Sequence, residues 1–217
     1  MLLVLVYARP GEPVVFSLLF VWCEPLRFVP VGFTRAELET YRDRTVPDLV
    51  GDDVRLLFVG INPGLWTAAT STHFAYPGNR FYPALRKAGI VDWQIDAAAG
   101  MTDTDRERFV RRGLGITNIA ARATARAAEL SREELRLGAD SLAERVAAWK
   151  PKVVAVAGIT AYRTGFARPK ARTGKQEELF EGVELWVVPN PSGLNAHETI
   201  DSLAEWYRLV ASAAGLV

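Results

Sequence analysis

A regular alternation of short apolar runs and amphipathic segments, which begins at residue 55, is the feature that most constrains how this chain can fold. The apolar runs have the length and composition of buried strands. They cover residues 55–60, 114–119, 152–157 and 184–188. Strands that alternate with helices imply parallel pairing through helical crossovers, with helices covering the sheet. The sequence therefore predicts one α/β domain with a parallel, helix-covered sheet.

Helices are predicted from capping residues and from apolar positions at helical spacing. Thr34 with Glu37, and Ser131 with Glu134, have the spacing of a capping box, in which each residue bonds to the backbone of the other. Further helices are expected over residues 79–88 and 103–112 and from Ile200 onward. The chain shows no internal repeat, linker or low-complexity tract, which favours a single domain.

The first 33 residues stand apart from this pattern. Residues 1–6 and 13–23 are apolar, but neither run approaches the roughly 20 residues needed to span a bilayer. No basic segment precedes the first run, as it would in a signal peptide. We therefore expect residues 1–33 to be an N-terminal extension, which is a peripheral strand, a poorly ordered segment or a mis-assigned start. Residues 34–217 are expected to form the functional domain of a cytoplasmic protein with no membrane partner.

Composition excludes several kinds of site. The 217 residues include one cysteine, Cys23, and two histidines, His73 and His197. An internal disulfide framework and a Cys-rich metal site are therefore excluded, and no metal cofactor is expected. The formal net charge is only +1, whereas a protein held to DNA by its overall charge would be more basic. Any binding to nucleic acid therefore needs a local basic face.

Two groups of basic residues are candidates for such a face. The first group consists of the arginines at 106, 108, 111, 112, 122 and 126, and the second consists of Arg163, Arg168, Lys170, Arg172 and Lys175. Charged residues of this kind more often form solvated faces of helices and loops. The sequence leaves both interpretations open.

Two loops, residues 60–81 and 189–198, follow predicted strands, and ligands of parallel sheets bind beyond the carboxyl ends of their strands. The first loop begins with Gly60-Ile61-Asn62-Pro63-Gly64. The proline disfavours helix at Asn62 and stiffens the turn that carries this donor and acceptor side chain. An aromatic-rich stretch with an arginine follows over residues 73–82 and is suited to stacking a planar base. Taken alone, each stretch is more often an ordinary turn or a self-packed loop.

The second loop, residues 189–197, places Leu194 among turn-forming residues. A large apolar side chain in such surroundings is expected to be exposed. A projecting leucine beside small and polar residues is suited to insertion into a base stack. The alternative is that Leu194 folds back as a hydrophobic cap on the last helix.

In combination, these stretches resemble the mismatch-specific uracil-DNA and thymine-DNA glycosylase family of the uracil-DNA glycosylase superfamily. The motifs are Gly-Ile-Asn-Pro-Gly at 60–64, Phe-Ala-Tyr-Pro-Gly-Asn-Arg-Phe at 74–81 and Asn-Pro-Ser-Gly-Leu at 190–194. The resemblance covers residues 34–212 and includes residues 114–118, 161–162 and 174–176. It implies a three-layer α/β/α sandwich with a short, mainly parallel central sheet. It also implies a monomer that binds double-stranded DNA with a mismatched or damaged base, flips out uracil and hydrolyses its N-glycosidic bond without a cofactor.

The resemblance assigns roles to particular residues. Asn62 would position the attacking water, and Phe74 would stack on the flipped base. Leu194 would be the wedge that fills the space the base leaves. The remaining residues of the expected base pocket are Gly60, Ile61, Thr67 and Asn190. The expected DNA-binding loop contains Gly193, Asn195 and His197 beside the wedge.

Two departures from the family pattern bear on specificity and rate. Asn195-Ala196-His197 stands where some members have Ser-Arg, whose arginine helps to hold the widowed guanine, so recognition of the opposite base is open. Asn62 stands where the fast uracil-DNA glycosylases have an aspartate, which predicts a slower enzyme.

Three alternatives remain open on sequence grounds. One alternative is that the enzyme removes thymine, ethenocytosine, hypoxanthine or xanthine instead of uracil or in addition to it. The bulk of Leu65, Trp66 and Thr67 around the pocket is expected to bear on this choice. A non-catalytic binder of damaged DNA or nucleotides is a different class, supported by the neutral Asn62. A phosphate-binding α/β enzyme is disfavoured, because no Gly-rich loop with Lys-Ser/Thr follows a strand.

Overall fold

The computed structural model describes residues 32–217 and contains a five-stranded sheet in the order β2-β1-β3-β5-β4. The strands are β1 Leu56–Gly60, β2 Leu114–Asn118, β3 Val153–Ala157, β4 Gly174–Lys175 and β5 Glu184–Val188. Four strands are parallel, and only the two-residue β4 runs antiparallel, beside β5. The predicted mainly parallel sheet is therefore confirmed.

Seven α-helices surround the sheet in the described part of the chain. They are α1 Arg35–Glu39, α2 Leu65–Thr70, α3 Phe81–Lys87, α4 Asp103–Arg111, α5 Arg132–Trp149, α6 Ile159–Gly165 and α7 Ile200–Ala213. Both predicted capping boxes form, since the Thr34 and Ser131 hydroxyls accept hydrogen bonds from the backbone N–H groups of Glu37 and Glu134. These caps satisfy N–H groups that have no partner within the helix.

The sheet separates two apolar cores, which together with the helices make the three predicted layers. Successive side chains of a strand point to opposite faces. Accordingly, Phe58 of β1 packs in one core with residues of α3 and α7, such as Tyr207. Its neighbour Leu57 packs in the other core with residues of α5 and α6, such as Leu142. The central strands are buried on both faces, as parallel strands covered by helices must be.

The prediction that residues 60–81 form one loop is wrong for residues 65–70, which form α2. Gly64 is the N-cap of this helix, and its backbone is extended (φ −75°, ψ 162°). Leu65 and Ala68 are buried against Ala123, a contact between distant parts of the chain. The helix has six residues, too few to show a helical period in the sequence. For the same reason α6 is absent from the predicted elements.

The predicted N-terminal extension lies mostly outside the described residues, as does Cys23, so the division at residue 33 stays a prediction. The described segment begins beside the fold, because the ring of Phe33 packs edge-on against Trp66 with 5.0 Å between centroids. Among residues 32–217, no helix has the length and apolar character that crossing a membrane requires. The same residues contain no group of His, Cys, Asp and Glu side chains suited to hold a metal ion.

Candidate active site

A cleft of about 170 Å³ opens beyond the carboxyl ends of β1, β2 and β3. This volume is below the roughly 300–1,000 Å³ of pockets for drug-sized ligands, so it fits a ligand of single-base size. Of the residues predicted for a base pocket, five line the cleft and Gly60 lies at the end of β1 beside it. The five are Ile61, Asn62, Thr67, Phe74 and Asn190. Leu65 and Trp66, by contrast, are buried in the fold and do not line it.

Asn62 is held so that only its carbonyl oxygen is offered to the cleft. Its Nδ2 donates to the Arg122 carbonyl at 2.9 Å, to Thr124 Oγ1 at 2.8 Å and to the Pro63 carbonyl at 3.1 Å. Carbonyl oxygens accept and never donate, so these partners fix the orientation of the amide. Asn62 Oδ1 receives no hydrogen bond from the described part of the chain and is therefore a free acceptor.

The segment that orients Asn62 is itself fixed. Thr124 Oγ1 donates to the Arg126 carbonyl at 2.9 Å, so its lone pairs are available to Asn62. Arg122 forms ion pairs at 2.8 Å with both Asp43 and Glu134. The hydrogen bond from Arg122 lowers the pKa of Glu134 to about 2, so this pair is charged at neutral pH. Thr124 was not among the predicted site residues, because only the fold brings it to Asn62.

Phe74 presents one ring face to the cleft. Its other face stacks on Phe81, with 4.2 Å between centroids and an interplanar angle of 25°. The backbone of Phe74 is in the left-handed region (φ 55°), which is uncommon for a residue with a side chain and persists only where the surroundings determine it. The half-buried ring is therefore a fixed platform on which a planar ligand can stack.

His73 and Asn118 form a second polar group at the cleft that the sequence did not indicate. His73 Nε2 lies 3.0 Å from the Pro47 carbonyl, and its Nδ1 lies 3.1 Å from Asn118 Nδ2. Because the carbonyl only accepts, Nε2 carries the proton and Nδ1 accepts from Asn118. Burial lowers the pKa of His73, in agreement with a neutral ring. The Asn118 oxygen is then left without a donor from the described residues.

Gly60 allows the Asn118 oxygen to approach the edge of Phe74. A Cβ atom at Gly60 would lie 2.4 Å from Asn118 Oδ1 and 3.3 Å from Phe74 Cζ. The first distance is far inside van der Waals contact, so any larger residue would displace the amide. The oxygen and the ring edge thus lie on either side of the same small space. A base stacked on Phe74 would present its edge to Asn118 Oδ1.

Two backbone donors at the cleft also have no partner. The N–H groups of Ile61 and Phe74 donate no hydrogen bond within the described residues. Asn190 similarly uses its Oδ1, which accepts from Ser192 N at 3.0 Å, while its amide nitrogen donates to none of these residues. Since buried backbone donors are normally paired, these groups are available to the electronegative atoms of a ligand.

Leu194 projects from the loop after β5 with 90% of its surface exposed. The alternative that it caps the last helix is therefore wrong. Asn195 Nδ2 donates to the Asn190 carbonyl at 3.0 Å and closes the loop beneath the leucine. Gly193 lies against the opposing loop, since a Cβ there would be 2.5 Å from the Gly78 carbonyl. His197 is exposed beside them.

In the first predicted basic group, Arg126 is exposed between Ala125 and Ala127, which line the cleft. The other five arginines are engaged in separate contacts: Arg106 donates to the Ser71 carbonyl, Arg108 lies over the ring of Trp93, Arg111 pairs with Glu107, Arg112 donates to the Ile90 carbonyl, and Arg122 is ion-paired as described. These arginines therefore stabilise local structure, as solvated helix faces commonly do.

The second group includes Lys175 of β4, which pairs with the carboxyl-terminal half of β5, the strand that precedes the Leu194 loop. Lys175 forms an ion pair with Glu184 at 2.7 Å, and Arg168 pairs with Glu178. Lys170 and Arg172 are exposed and form no ion pair within the described residues. They border a depression of about 600 Å³, which is larger than the cleft and has exposed charged side chains at half of its lining residues.

Comparison with known families identifies the chain. The model of the family described as the uracil DNA glycosylase superfamily matches residues 47–211. The chain belongs to the uracil DNA glycosylase superfamily. It is accordingly a DNA glycosylase, a hydrolase of DNA repair. The mismatch-specific subfamily that the motifs resemble is a finer assignment.

A solved structure agrees with the superfamily fold. It is a solution structure of a protein from Methanosarcina acetivorans that is named provisionally as a uracil DNA glycosylase. The TM-score is 0.53 at 17% sequence identity, over 80% of this chain and 98% of the other. At this identity the likeness concerns the fold alone, and it supports the α/β architecture of this superfamily member.

Proposed function

We propose that this glycosylase removes uracil from mismatched duplex DNA by flipping the base into the 170 Å³ cleft and hydrolysing its N-glycosidic bond. The observation that carries the proposal is the orientation of Asn62, whose Nδ2 is bound to Arg122 and Thr124. The remaining oxygen accepts a hydrogen bond from one water beside the ring platform of Phe74. A water held in this way is aimed at the sugar carbon of a base stacked on that ring.

The donors and acceptors of the cleft match the edge of uracil. Asn118 Oδ1 accepts from the N3–H of the base, and the amide nitrogen of Asn190 donates to a carbonyl oxygen. Cytosine has no proton on N3, so it would place an acceptor against the Asn118 oxygen. A buried acceptor that faces another acceptor costs about 1–3 kcal/mol, which favours uracil over the normal base.

The reaction is a displacement at C1′ of the deoxyribose. Water oxygen bonds to C1′ as the bond from C1′ to the base nitrogen breaks, and the electron pair leaves with the base. The unpartnered N–H groups of Ile61 and Phe74 stabilise the negative charge that develops on the base. One water proton ends on the released uracil, and the sugar keeps the hydroxyl. The product is an intact abasic site.

Mismatch preference follows from the energy of flipping. Extrusion of a base costs a few kcal/mol, and less where the pair is mismatched. Leu194 enters the vacated stack and keeps the base outside it.

No carboxylate lines the cleft among the described residues, so the water is oriented but not deprotonated by the protein. This agrees with a slow enzyme that acts where the pair opens readily.

A glycosylase panel tests the proposal. Duplexes that carry uracil, thymine, ethenocytosine, hypoxanthine or xanthine opposite each normal base are incubated with the full chain, and alkali-labile abasic sites are counted. The expected order places uracil opposite guanine first and uracil opposite adenine well below it. Equal rates for the two uracil pairs would remove the mismatch assignment. Binding to G·U duplex with no abasic product would favour the non-catalytic binder.

A further inference from the structure

We propose that Arg80 is a positioning residue that holds the Leu194 loop in the form that enters DNA, and so controls activity on duplexes without touching the base. The inference rests on the proposed function of Leu194 as a wedge. The loop concerned is residues 189–198, which we call the wedge loop.

The guanidinium of Arg80 is surrounded by carbonyl oxygens of the wedge loop. It donates to Ser192 O and Asn195 O, each at 2.8 Å, and to Glu198 O. Its backbone N–H donates to Pro191 O at 3.0 Å. The planar arrangement of five donors lets one arginine bind several carbonyls at once, which a lysine cannot reproduce.

The wedge loop has little other support from outside itself: Gly193 lies against Gly78, and Ser202 Oγ donates to the Glu198 carboxylate at 2.6 Å. Its remaining bonds are internal, such as Asn195 N to Ser192 O at 2.9 Å and Leu194 N to Ser192 Oγ at 3.3 Å. Among the described residues, Arg80 is the only one outside the wedge loop that donates hydrogen bonds to carbonyls between Asn190 and Glu198. The Leu194 side chain is almost fully exposed, so its own packing cannot hold the loop in place. The hydrogen bonds from Arg80 therefore fix the loop conformation that insertion into DNA requires.

Arg80 also joins the wedge to the base pocket. It directly precedes Phe81, whose ring supports Phe74 at 4.2 Å between centroids. Two consecutive residues, Arg80 and Phe81, therefore hold both the ring on which the flipped base stacks and the loop whose leucine fills the place of that base. Holding a loop in its bound conformation before binding removes an entropic cost of ordering it on DNA. Loss of Arg80 should accordingly weaken duplex processing far more than the chemistry.

The test compares uracil release from G·U duplex and from single-stranded DNA under single-turnover conditions. We expect Arg80→Ala to lower the duplex rate on the order of tenfold, equivalent to about 1.4 kcal/mol, with a much smaller loss on single strands. Arg80→Lys keeps the charge but not the fork, so it should resemble Arg80→Ala. Arg86→Ala, at an exposed arginine of α3, the helix that begins directly after Arg80, is the matched control and should match the wild type on both substrates.

A double variant separates positioning from direct binding of DNA. If Arg80 acts through the wedge, Arg80→Ala adds nothing to the duplex defect of Leu194→Ala. Multiplied defects, or full rescue by Arg80→Lys, would show that the charge acts on DNA and would overturn the proposal. Equal losses on both substrates would also overturn it.

Amide hydrogen exchange gives a readout that does not depend on activity. Arg80→Ala should accelerate exchange at residues 192–198 and leave β1 and β3 unchanged. Unchanged exchange in the wedge loop would overturn the positioning role. By contrast, a wild-type protein that released no uracil from either substrate would overturn the proposed function and leave the exchange result to decide the role of Arg80.

Discussion

The imidazole of His73 accepts a hydrogen bond from the side-chain amide of Asn118, with 3.1 Å between Nδ1 and Nδ2. The opposite ring nitrogen donates to the Pro47 carbonyl. This chain of bonds requires a neutral imidazole, and it turns the oxygen of Asn118 toward the space bounded by Gly60 and Phe74. In the proposed function, His73 thereby determines that the oxygen of Asn118, and not its nitrogen, faces the base.

Protein stability should depend on the protonation of His73. Burial lowers its pKa below the ordinary value of 6.5, so below pH 6.5 the unfolded chain binds a proton that the folded chain excludes. The contribution of the neutral histidine is therefore complete above pH 6.5 and is lost as the pH falls below it. Urea unfolding between pH 8 and pH 5 should show this decline, and His73→Gln should flatten it. His197→Gln, at the exposed histidine, is the control and should retain the wild-type slope.

Removal of the Asn118 oxygen should impair recognition of uracil. Asn118→Ala deletes the acceptor proposed for N3–H, and a lost hydrogen bond of this kind costs on the order of tenfold in kcat/KM. The loss should be smaller for a substrate base methylated at N3, which has no proton to donate. Identical losses for the two bases would show that Asn118 supports the pocket and does not read the base.

Asn62→Ala should lose most base release, on the order of a hundredfold, because positioning of an attacking group is worth several kcal/mol. Binding of G·U duplex should persist, which a gel-shift measurement checks. An unchanged rate of base release would show that the attacking water is positioned by residues outside the turn at 60–64.

Asn62→Asp is a sharper version of the same test. The new carboxylate would face the carbonyls of Pro63 and Arg122, which now accept from the amide. Repulsion between these oxygens should raise the pKa of the introduced acid. The variant should therefore gain activity as the pH rises through that raised pKa, since only the ionised form polarises water. A flat pH–rate profile would contradict this expectation.

Leu194→Ala should impair uracil release from duplex more than from single strands, because an unstacked strand leaves no gap for the wedge to fill. The measurement is the ratio of the two single-turnover rates. Leu209→Ala, at an exposed leucine of α7, is the control for loss of apolar surface. Equal losses on the two substrates would indicate that Leu194 acts in folding.

Lys170 and Arg172 should bind DNA phosphates, since they are exposed and without an ion pair among the described residues. Replacing both with alanine should weaken DNA binding whatever the sequence. The slope of log K against log salt should become shallower by about 0.9 for each phosphate that the protein no longer neutralises. Arg111→Ala, at an exposed arginine of α4, should leave the slope unchanged. An unchanged slope in the double variant would show that Lys170 and Arg172 do not contact DNA phosphates.

The amino-acid sequence determined the parts of this protein that depend on neighbouring residues. The apolar runs marked β1, β2, β3 and β5 to within a residue at either end, and the capping pairs at Thr34 and Ser131 marked the starts of α1 and α5. Hydrophobic periodicity and capping act within a few residues, so they can be recognised without knowledge of the fold. The turn at residues 60–64 and the loop at 189–198 were recognised for the same reason.

Tertiary structure alone decided the contacts that make these loops a site. His73 meets Asn118 across 45 residues of chain, Asn62 meets Thr124 across 62, and Arg80 reaches Asn195 across 115. Each pair comes together because the order β2-β1-β3-β5 brings the carboxyl ends of strands distant in the chain to one edge of the sheet. A hydrogen bond depends on distance and direction in space. No local pattern in the sequence records those quantities, so the orientation of each amide emerged only with the fold.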